Sequence, residues 1–397
     1  VMNIVIKENP DGVILQYGGQ TAIKLAEHME KMGVPILGSG YDSIDRSEDR
    51  EKFEAVLEKL NIARPSGKAV MNVEEGLEFT KVCGFPVLIR PSYVLGGMGM
   101  EIAYDESECV EYLENAFKKD KKNPVLIDKY LNGKEIEVDA IGDGTDILIP
   151  GIMEHLERAG VHSGDSISVY PAFSLSQEIK NKIIENTEKL ASELNVLGLV
   201  NIQYVVYDDK VYVIEVNPRA SRTVPYISKV TGIPMIKLAT EIMMGSKLKD
   251  LGFGTGLYKE SGYYAVKVPV FSMEKLPQTE IALGPEMKST GEALGLEKDL
   301  YKAIYKGLVG SRLELGSIGR VLVSISDNYK KEFEPIAMKM KRLGFEFYAT
   351  KGTGQYLGRL GIDYKHVAKI GEEETNVLSL IRNEKLTLVI NIPSKGR

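Results

Sequence analysis

Glu215, Asn217 and Arg219 fall at every second position of VYVIEVNPR, residues 211–219. In an extended chain that alternation sends an anion, an amide and a cation to one face of a sheet, with Ile214 and Val216 on the other. Asn201 and Gln203 share a face of the preceding run LVNIQYV. A turn at Asp208-Asp209 would bring Gln203 beside Glu215. Carboxylate and amide oxygens are what a hard divalent cation such as Mg²⁺ accepts, with phosphate and water filling its shell. A guanidinium two residues beyond the last donor is placed to neutralise a phosphoryl group in transfer. Taken alone, the same residues also fit a solvated face with a Glu–Arg ion pair.

Two further segments could act with this ribbon. In RPSYVLGGMG, Arg90 ends an apolar run and can pair bidentately with an anion, and Gly96, Gly97 and Gly99 can lay backbone N–H groups along phosphate oxygens. The glycines join strand to strand, and neither G-x-x-x-x-G-K-[ST] nor a helix-opening G-x-G-x-x-G is present. The segment reads as a flap over a nucleotide, although a plain turn would also use such glycines. In residues 151–172, His155 and His162 lie among Glu154, Glu157 and Asp165 without H-E-x-x-H spacing. The turn His162, Ser163, Asp165, Ser166 offers hydroxyl and backbone oxygens to a monovalent cation; structural histidines are the plainer reading.

The elements that must carry these residues follow from periodicity. GVILQ (12–16), a helix over about 21–32 and VPILG form a β-α-β unit with a parallel sheet, with Gly18-Gly19 at a strand end where backbone amides can meet a ligand. Helices are expected over 45–61 (stripe Phe53, Val56, Leu57, Leu60), 73–83, 106–119 and 176–195 (stripe Ile179, Ile183, Leu190, Leu194). Hairpins are expected at Asn132-Gly133, through Gly142–Gly144 and at Asp208-Asp209. Residues 225–251 read as helical, and 270–316 hold few regular strands and two short helical patterns. The pattern changes near Ser311–Ile318, after which strand and helix alternate again.

The chain has 397 residues, 43% hydrophobic and 27% charged, and a net charge of −6. It is long enough for two or three domains, and too acidic for a general nucleic-acid binder. No run of about 18 apolar residues spans a membrane, and no signal peptide opens the chain. Cys83 and Cys109 make neither a disulfide framework nor a zinc motif, which suits a reducing cytoplasm. The start, seemingly inside a helix, and the stop just after a strand read as the ends of a piece of a longer chain.

VILQYGGQT, EDREKF, VLIRPSYVLGG, GIMEHLERAGVHSGDS, LVNIQYV, VIEVNPRASRTVP and LGPEMKSTGE, in this order, resemble the large subunits of carbamoyl-phosphate synthases. The resemblance implies an α/β (α+β) chain. A partial pre-ATP-grasp subdomain would cover 1–44, an ATP-grasp domain 45–250, the end of the catalytic unit and linker 251–316, and a truncated methylglyoxal-synthase-like allosteric domain 317–397. RPSYVLGG and the regulatory-like tail look like the second of the family's two ATP-grasp halves. The implied reaction is phosphorylation of carbamate by ATP, giving carbamoyl phosphate and ADP.

By the same resemblance, Gln203, Glu215 and Asn217 would hold Mg²⁺ or Mn²⁺, and Arg219 would stabilise the phosphoryl. Arg50 and Arg90 would contact nucleotide phosphates under Gly96 and Gly97, Lys129 would bind the nucleotide, and Glu135 would face the adenosine. His162 and Ser163 would approach ribose or phosphates, their turn helping to hold K⁺. Lys330, Thr350, Thr353, Lys369 and Asn391 match the positions that hold a nucleotide effector. The implied partners are the first ATP-grasp half and a glutaminase small subunit. Met98 stands where the family often has Arg, Pro393 where a Thr is expected, and Val268 replaces an acidic partner of Glu157 and Asp165 for ornithine. Two alternatives carry less of the pattern: another ATP-grasp ligase such as a biotin carboxylase, or a non-catalytic effector-binding scaffold.

Overall fold

Five short helices precede any sheet in the computed structural model, which describes residues 1–91, 99–119, 123–273, 282–313, 316, 318–372, 376–383 and 386–392. They are α1 (Met2–Glu8), α2 (Gly19–Ile23), α3 (Ala26–Lys31), α4 (Tyr41–Glu48) and α5 (Arg50–Leu60). The parallel sheet expected from GVILQ and VPILG reduces to one bridge, Val13 to Ile36. Gln16 turns away from that pairing, its carbonyl accepting from Ala220 N at 3.0 Å. Its Nε2 donates to Ser39 Oγ and to Leu197 O, both at 3.0 Å, and its Oε1 accepts from Leu199 N at 2.9 Å. The helix expected over 45–61 is two helices. Asp49 is extended between them and caps α5 by accepting from Lys52 N at 3.0 Å, as a short acidic side chain does at an N-cap.

A four-stranded antiparallel sheet follows, in the order β1-β4-β2-β3. Its elements are β1 (Gly67–Val70), α6 (Val73–Cys83), β2 (Val87–Pro91), β3 (Glu101–Ala103), α7 (Glu106–Lys119) and β4 (Val125–Lys129). α6 and α7 close one side of it over Val70, Val87, Ile89, Leu113 and Ile127, all buried.

The larger sheet holds nine strands: β5 (Lys134–Asp143), β6 (Ile147–Ile149), β7 (Ile152–Arg158), β8 (Ser168–Tyr170), β9 (Leu197–Tyr207), β10 (Lys210–Asn217), β11 (Gly256–Leu257), β12 (Tyr264–Val270) and β13 (Gly291–Glu297). Its main path runs β10-β9-β5-β7-β8-β12-β13, antiparallel throughout. Helix α8 (Gln177–Glu193) follows β8, α9 (Val224–Thr231) and α10 (Met235–Met243) follow β10, and α11 (Leu300–Gly310) follows β13. On β5, Ile136, Val138 and Ala140 share a core with α5 and α8. Glu135, Glu137 and Asp139 therefore face the other way, toward the side that α9 and α10 close further along with Ile141, Met153 and Leu199. The hairpin at Asp208-Asp209 is as expected: both residues have positive φ, 48° and 55°, the geometry of a type I′ turn.

Three expectations need correction. Asn132-Gly133 is not a hairpin turn, because β4 and β5 belong to different sheets. A Cβ on Gly133 would lie 2.3 Å from Val206 O, so this glycine serves a close pass beside β9. Residues 225–251 break at Gly232, whose φ of 74° ends α9. Ile214 does not lie on the apolar back of its strand, as described below.

Val1–Arg312 and Leu313–Arg397 are separate units. The second is a parallel sheet in the order β16-β15-β14-β17. It comprises β14 (Arg320–Ile325), α12 (Lys330–Arg342), β15 (Glu346–Ala349), α13 (Lys351–Arg359), β16 (Tyr364–His366), α14 (Val377–Asn383) and β17 (Leu388–Ile392). Among the described residues no helix is long and apolar enough to cross a membrane. Both cysteines are free thiols.

Replacing Gln16 by Leu keeps bulk but removes the partner of the Leu199 N–H in a buried setting, while Leu197 O keeps Ser39 Oγ. Such a loss costs about 1–3 kcal/mol, which a lower urea midpoint with an unchanged m-value would register.

Candidate active site

The β9–β10 ribbon places Gln203 directly opposite Glu215 and Asn201 opposite Asn217. The register slips between Val213 and Glu215. Ile214 is the extra residue of that bulge and is 37% exposed, while Val211, Val213 and Val216 face the core. Simple alternation would have buried Ile214; the bulge re-aims the residues that follow it, as bulges near functional sites do. Glu215, Asn217 and Arg219 then converge. Asn217 Nδ2 donates to Glu215 Oε1 at 2.9 Å, and Arg219 Nη2 donates to Asn217 Oδ1 at 3.1 Å.

Arg219 is held from a second direction. Its Nε donates to Gln20 Oε1 at 3.2 Å, its Nη1 to Ala220 O at 3.2 Å, and Gln20 Nε2 donates to Glu48 Oε1 at 2.6 Å. Sequence reading weighed the Gly18-Gly19 turn only for its amides and missed Gln20 beside it. Gln203, Glu215 and Asn217 offer one carboxylate and two amide oxygens, a sparse all-oxygen set that suits a hard divalent ion sharing its shell with phosphate. Among the described residues no group of three or more His, Cys, Asp or Glu forms a competing metal site.

The same register extends the polar face across β5, where Glu137 lies opposite Gln203 and Asp139 opposite Asn201. Asn201 Nδ2 donates to Glu137 Oε1 at 2.8 Å and to Asp139 Oδ1 at 3.0 Å. The Thr223 hydroxyl closes the cluster, 3.0 Å from Glu137 Oε1 and 2.5 Å from Asp139 Oδ2. His155, fully buried, sits between two carboxylates: its Nδ1 is 3.6 Å from Glu135 Oε1 and its Nε2 is 3.4 Å from Glu137 Oε2.

Burial pushes Glu135 up to about 7, against the pull of His155. Asp139 is also pushed up to about 7, by burial first and then by the neighbouring Glu137. Burial pulls His155 down, but Glu137 and Glu135 overcome it and leave the imidazole above its ordinary value. Burial likewise raises Glu137, yet His155 and Lys267 outweigh it and hold that carboxylate low. The cluster thus favours charge on both Glu137 and His155, while burial favours protons on Asp139 and Glu135. Sequence reading left His155 as structural because its partners are distant in sequence.

Arg50 and Arg90 meet on one residue that sequence reading did not single out. Arg50 Nη2 donates to Asp128 Oδ1 at 2.7 Å, and Arg90 donates through Nε and Nη2 to Asp128 Oδ2 at 3.0 and 2.7 Å. A Cβ on Gly67 would lie 1.8 Å from Asp128 Oδ1 and 2.2 Å from Arg50 Nη2, so the pair requires a glycine there. Lys129 donates to the carbonyls of Gly84 and Phe85, at 3.2 and 2.8 Å. Gly96, Gly97 and Met98 lie outside the described residues.

His162 and Ser163 lie in the expected turn. His162 Nδ1 accepts from Gly164 N at 3.0 Å, and burial pulls its pKa down. Ser163 Oγ accepts from Gln203 Nε2 at 3.5 Å. Asp165, fully buried, accepts from Lys288 N and Ser289 N, both at 2.8 Å, and so fastens the segment LGPEMKSTGE over the turn.

In the second unit Thr350 is the N-cap residue of α13 and Thr353 lies in its first turn, both buried. Thr353 Oγ1 accepts from Ile325 N at 2.9 Å, and Lys330 Nζ donates to Gly352 O at 2.8 Å. Lys369 N donates to Glu372 Oε2 at 2.9 Å, and Asn391 lies on β17 opposite Ser324. Pro393 lies outside the described residues.

Comparison with known proteins matches three family models. Residues 49–251 match the carbamoyl-phosphate synthase L chain, ATP binding domain; residues 1–46 the carbamoyl phosphate synthase preATP-grasp domain; and residues 332–397 the MGS-like domain. The carbamoyl phosphate synthase large chains of Clostridium perfringens (strain SM101) and Clostridium botulinum (strain Langeland) are 58% and 59% identical over all 397 residues. The chain spans 37% of the length of these relatives. Among solved structures, a Campylobacter jejuni biotin carboxylase–β,γ-ATP complex is similar with a TM-score of 0.62 at 18% identity, over 78% of this chain and 76% of that one. The biotin carboxylase domain of Hydrogenobacter thermophilus 2-oxoglutarate carboxylase, with MgADP and bicarbonate, gives 0.57 at 21% identity, over 69% of this chain and 62% of that one.

Glu135 is protonated more readily in the folded chain than in the unfolded one, where its carboxyl keeps its ordinary 4.5. Its contribution to stability is therefore full below pH 4.5 and is lost as pH rises toward about 7, with no further loss above. Urea unfolding over this range should show the parent losing stability relative to Glu135→Gln up to about pH 7, then holding a constant difference.

Proposed function

The chain belongs to the carbamoyl-phosphate synthase large-chain family, and on that footing we propose that it phosphorylates carbamate with ATP to give carbamoyl phosphate and ADP. Its fold is an ATP-grasp α/β fold, preceded by a pre-ATP-grasp segment and followed by an MGS-like domain. Assignment to the second ATP-grasp half is supported by the MGS-like domain that follows directly in the chain. The observation that carries the reading is the convergence of Gln203, Glu215, Asn217 and Arg219 from one ribbon.

Gln203, Glu215 and Asn217 would hold Mg²⁺ or Mn²⁺. When bound, the metal supplies a clamp on phosphate oxygens and neutralises their charge. A carbamate oxygen attacks the terminal phosphorus as its bond to the bridging oxygen breaks, and ADP leaves. Arg219, already oriented by Gln20, Asn217 and the Ala220 carbonyl, faces charge developing on the transferred group without having to reorganise. Arg50 and Arg90, gathered on Asp128, would contact the remaining phosphates. Lys129 and Glu135 bind the nucleoside end. His162 and Ser163 would approach ribose or phosphates, and hydroxyl and backbone oxygens of their turn would hold K⁺.

The first ATP-grasp half and a glutaminase small subunit would supply carbamate. Lys330, Thr350, Thr353, Lys369 and Asn391 would hold a phosphorylated nucleotide effector on the MGS-like domain. The divisions 1–44, 45–250, 251–316 and 317–397 remain our partition of these roles. Biotin carboxylases share the fold at 18–21% identity, which supports the architecture and not their chemistry.

The reverse partial reaction, ATP formation from carbamoyl phosphate and MgADP, tests the reading without the steps that would supply carbamate. Glu215→Gln should lower that rate by about a hundredfold or more, as loss of one charge-stabilising group does, with an unchanged melting temperature. A parent-like rate in the folded variant would refute the platform.

A further inference from the structure

A buried cation lies across the sheet from this platform. Lys267 on β12 is 2% exposed, and its Nζ donates to Ser163 O at 2.9 Å. Register places it opposite Ser168, which in turn lies opposite His155, so one polar row crosses β12, β8 and β7. Ser168 is itself fully buried. Among the described residues no carboxylate forms an ion pair with the ammonium. Burial opposes its charge and pulls its pKa down, against the favouring charges of Glu137 on β5, Glu292 on β13, Glu157 on β7 and Asp165 in the turn. An ammonium buried without an adjacent counter-ion works against folding, and a methionine would fill the same space at less expense.

Among the described residues the ammonium makes one hydrogen bond, and that contact leads to the candidate metal ligands. Ser163 receives Lys267 on its backbone carbonyl and Gln203 Nε2 on its hydroxyl, the latter over a long 3.5 Å. With the amide nitrogen turned to Ser163, Gln203 Oε1 is the atom left for a cation. The other side of the turn is fixed separately, by Asp165 accepting from Lys288 and Ser289 and by His162 N donating to Gly284 O at 2.8 Å.

We infer that Lys267 is a positioning residue for the metal platform: its ammonium holds the Ser163 carbonyl and thereby sets the Gln203 amide with its oxygen toward the ion. This rests on the metal role proposed above for Gln203. The direct hydrogen bond of the ammonium reaches the site through Ser163.

Binding of Mn²⁺ in the presence of ADP, read from loss of the free-ion EPR signal, decides the matter on the 397-residue chain. Lys267→Met should weaken Mn²⁺ binding by about tenfold, the usual scale for losing an outer partner of a metal ligand. Lys267→Gln, too short to reach Ser163, should do the same, whereas Lys267→Arg should restore affinity to within about threefold of the parent. Melting curves establish which variants fold; if Lys267→Met does not, Lys267→Gln decides by the same criterion. Parent-like Mn²⁺ affinity in a folded Met or Gln variant, or an Arg variant as weak as they are, overturns the inference. If the parent itself binds no Mn²⁺ with ADP, the metal platform falls, and the role of Lys267 falls with it.

Discussion

The antiparallel register of β5, β9 and β10 is the constraint on which the rest depends. A one-residue slip in a two-faced sheet exchanges the faces of every side chain beyond it. Here the register aligns Glu137 with Gln203 and Gln203 with Glu215 in one row, and Asp139, Asn201 and Asn217 in the next. The type I′ turn at Asp208-Asp209 sets the pairing of the ribbon, and the bulge at Ile214 adjusts it before Glu215 and Asn217. Hydrocarbon on the reverse face, Ile136, Val138, Ile202 and Val216, makes any other alignment expensive. The polar row is thus placed by apolar residues that take no part in its chemistry.

Concentrating so many carboxylates on one buried face requires compensation, and the compensation is local. Asn201 and Thr223 divide their hydrogen bonds between Glu137 and Asp139, and His155 stands between Glu137 and Glu135. The four-stranded sheet solves the opposite problem, in which two guanidinium groups share Asp128. Mutual repulsion of Arg50 and Arg90 is thereby offset while both remain gathered at one point.

Much of this was legible in the sequence because it is local. The ribbon and its turn, helices over 73–83 and 106–119, and the stripe of α8 follow from periods of two and 3.6 and from turn residues. What was missed depends on contacts between distant segments. The Asn132-Gly133 dipeptide has hairpin chemistry, yet its glycine is needed for the backbone of β9 rather than for a turn. No period reveals a bulge, so Ile214 was assigned to the wrong face. Gln20 and Asp128 belong to the site only because residues far away in the chain, Arg219 for one and Arg50 for the other, come to meet them. The β-α-β reading of the N-terminal segment had the right alternation, but Gln16 spends its hydrogen bonds on β9.

That tie between the N-terminal segment and β9 bears on what can be exchanged between relatives. The family models divide the chain between residues 46 and 49, as though two pieces were joined there. Yet the earlier piece supplies Gln20 to the guanidinium of the later one, and Gln16 to its backbone. A chimera assembled at this junction would therefore import another chain's partners for Arg219 and for the backbone of β9. Recombination that respects the boundary between models would still cut through these hydrogen bonds, and the two pieces are expected to be inherited together.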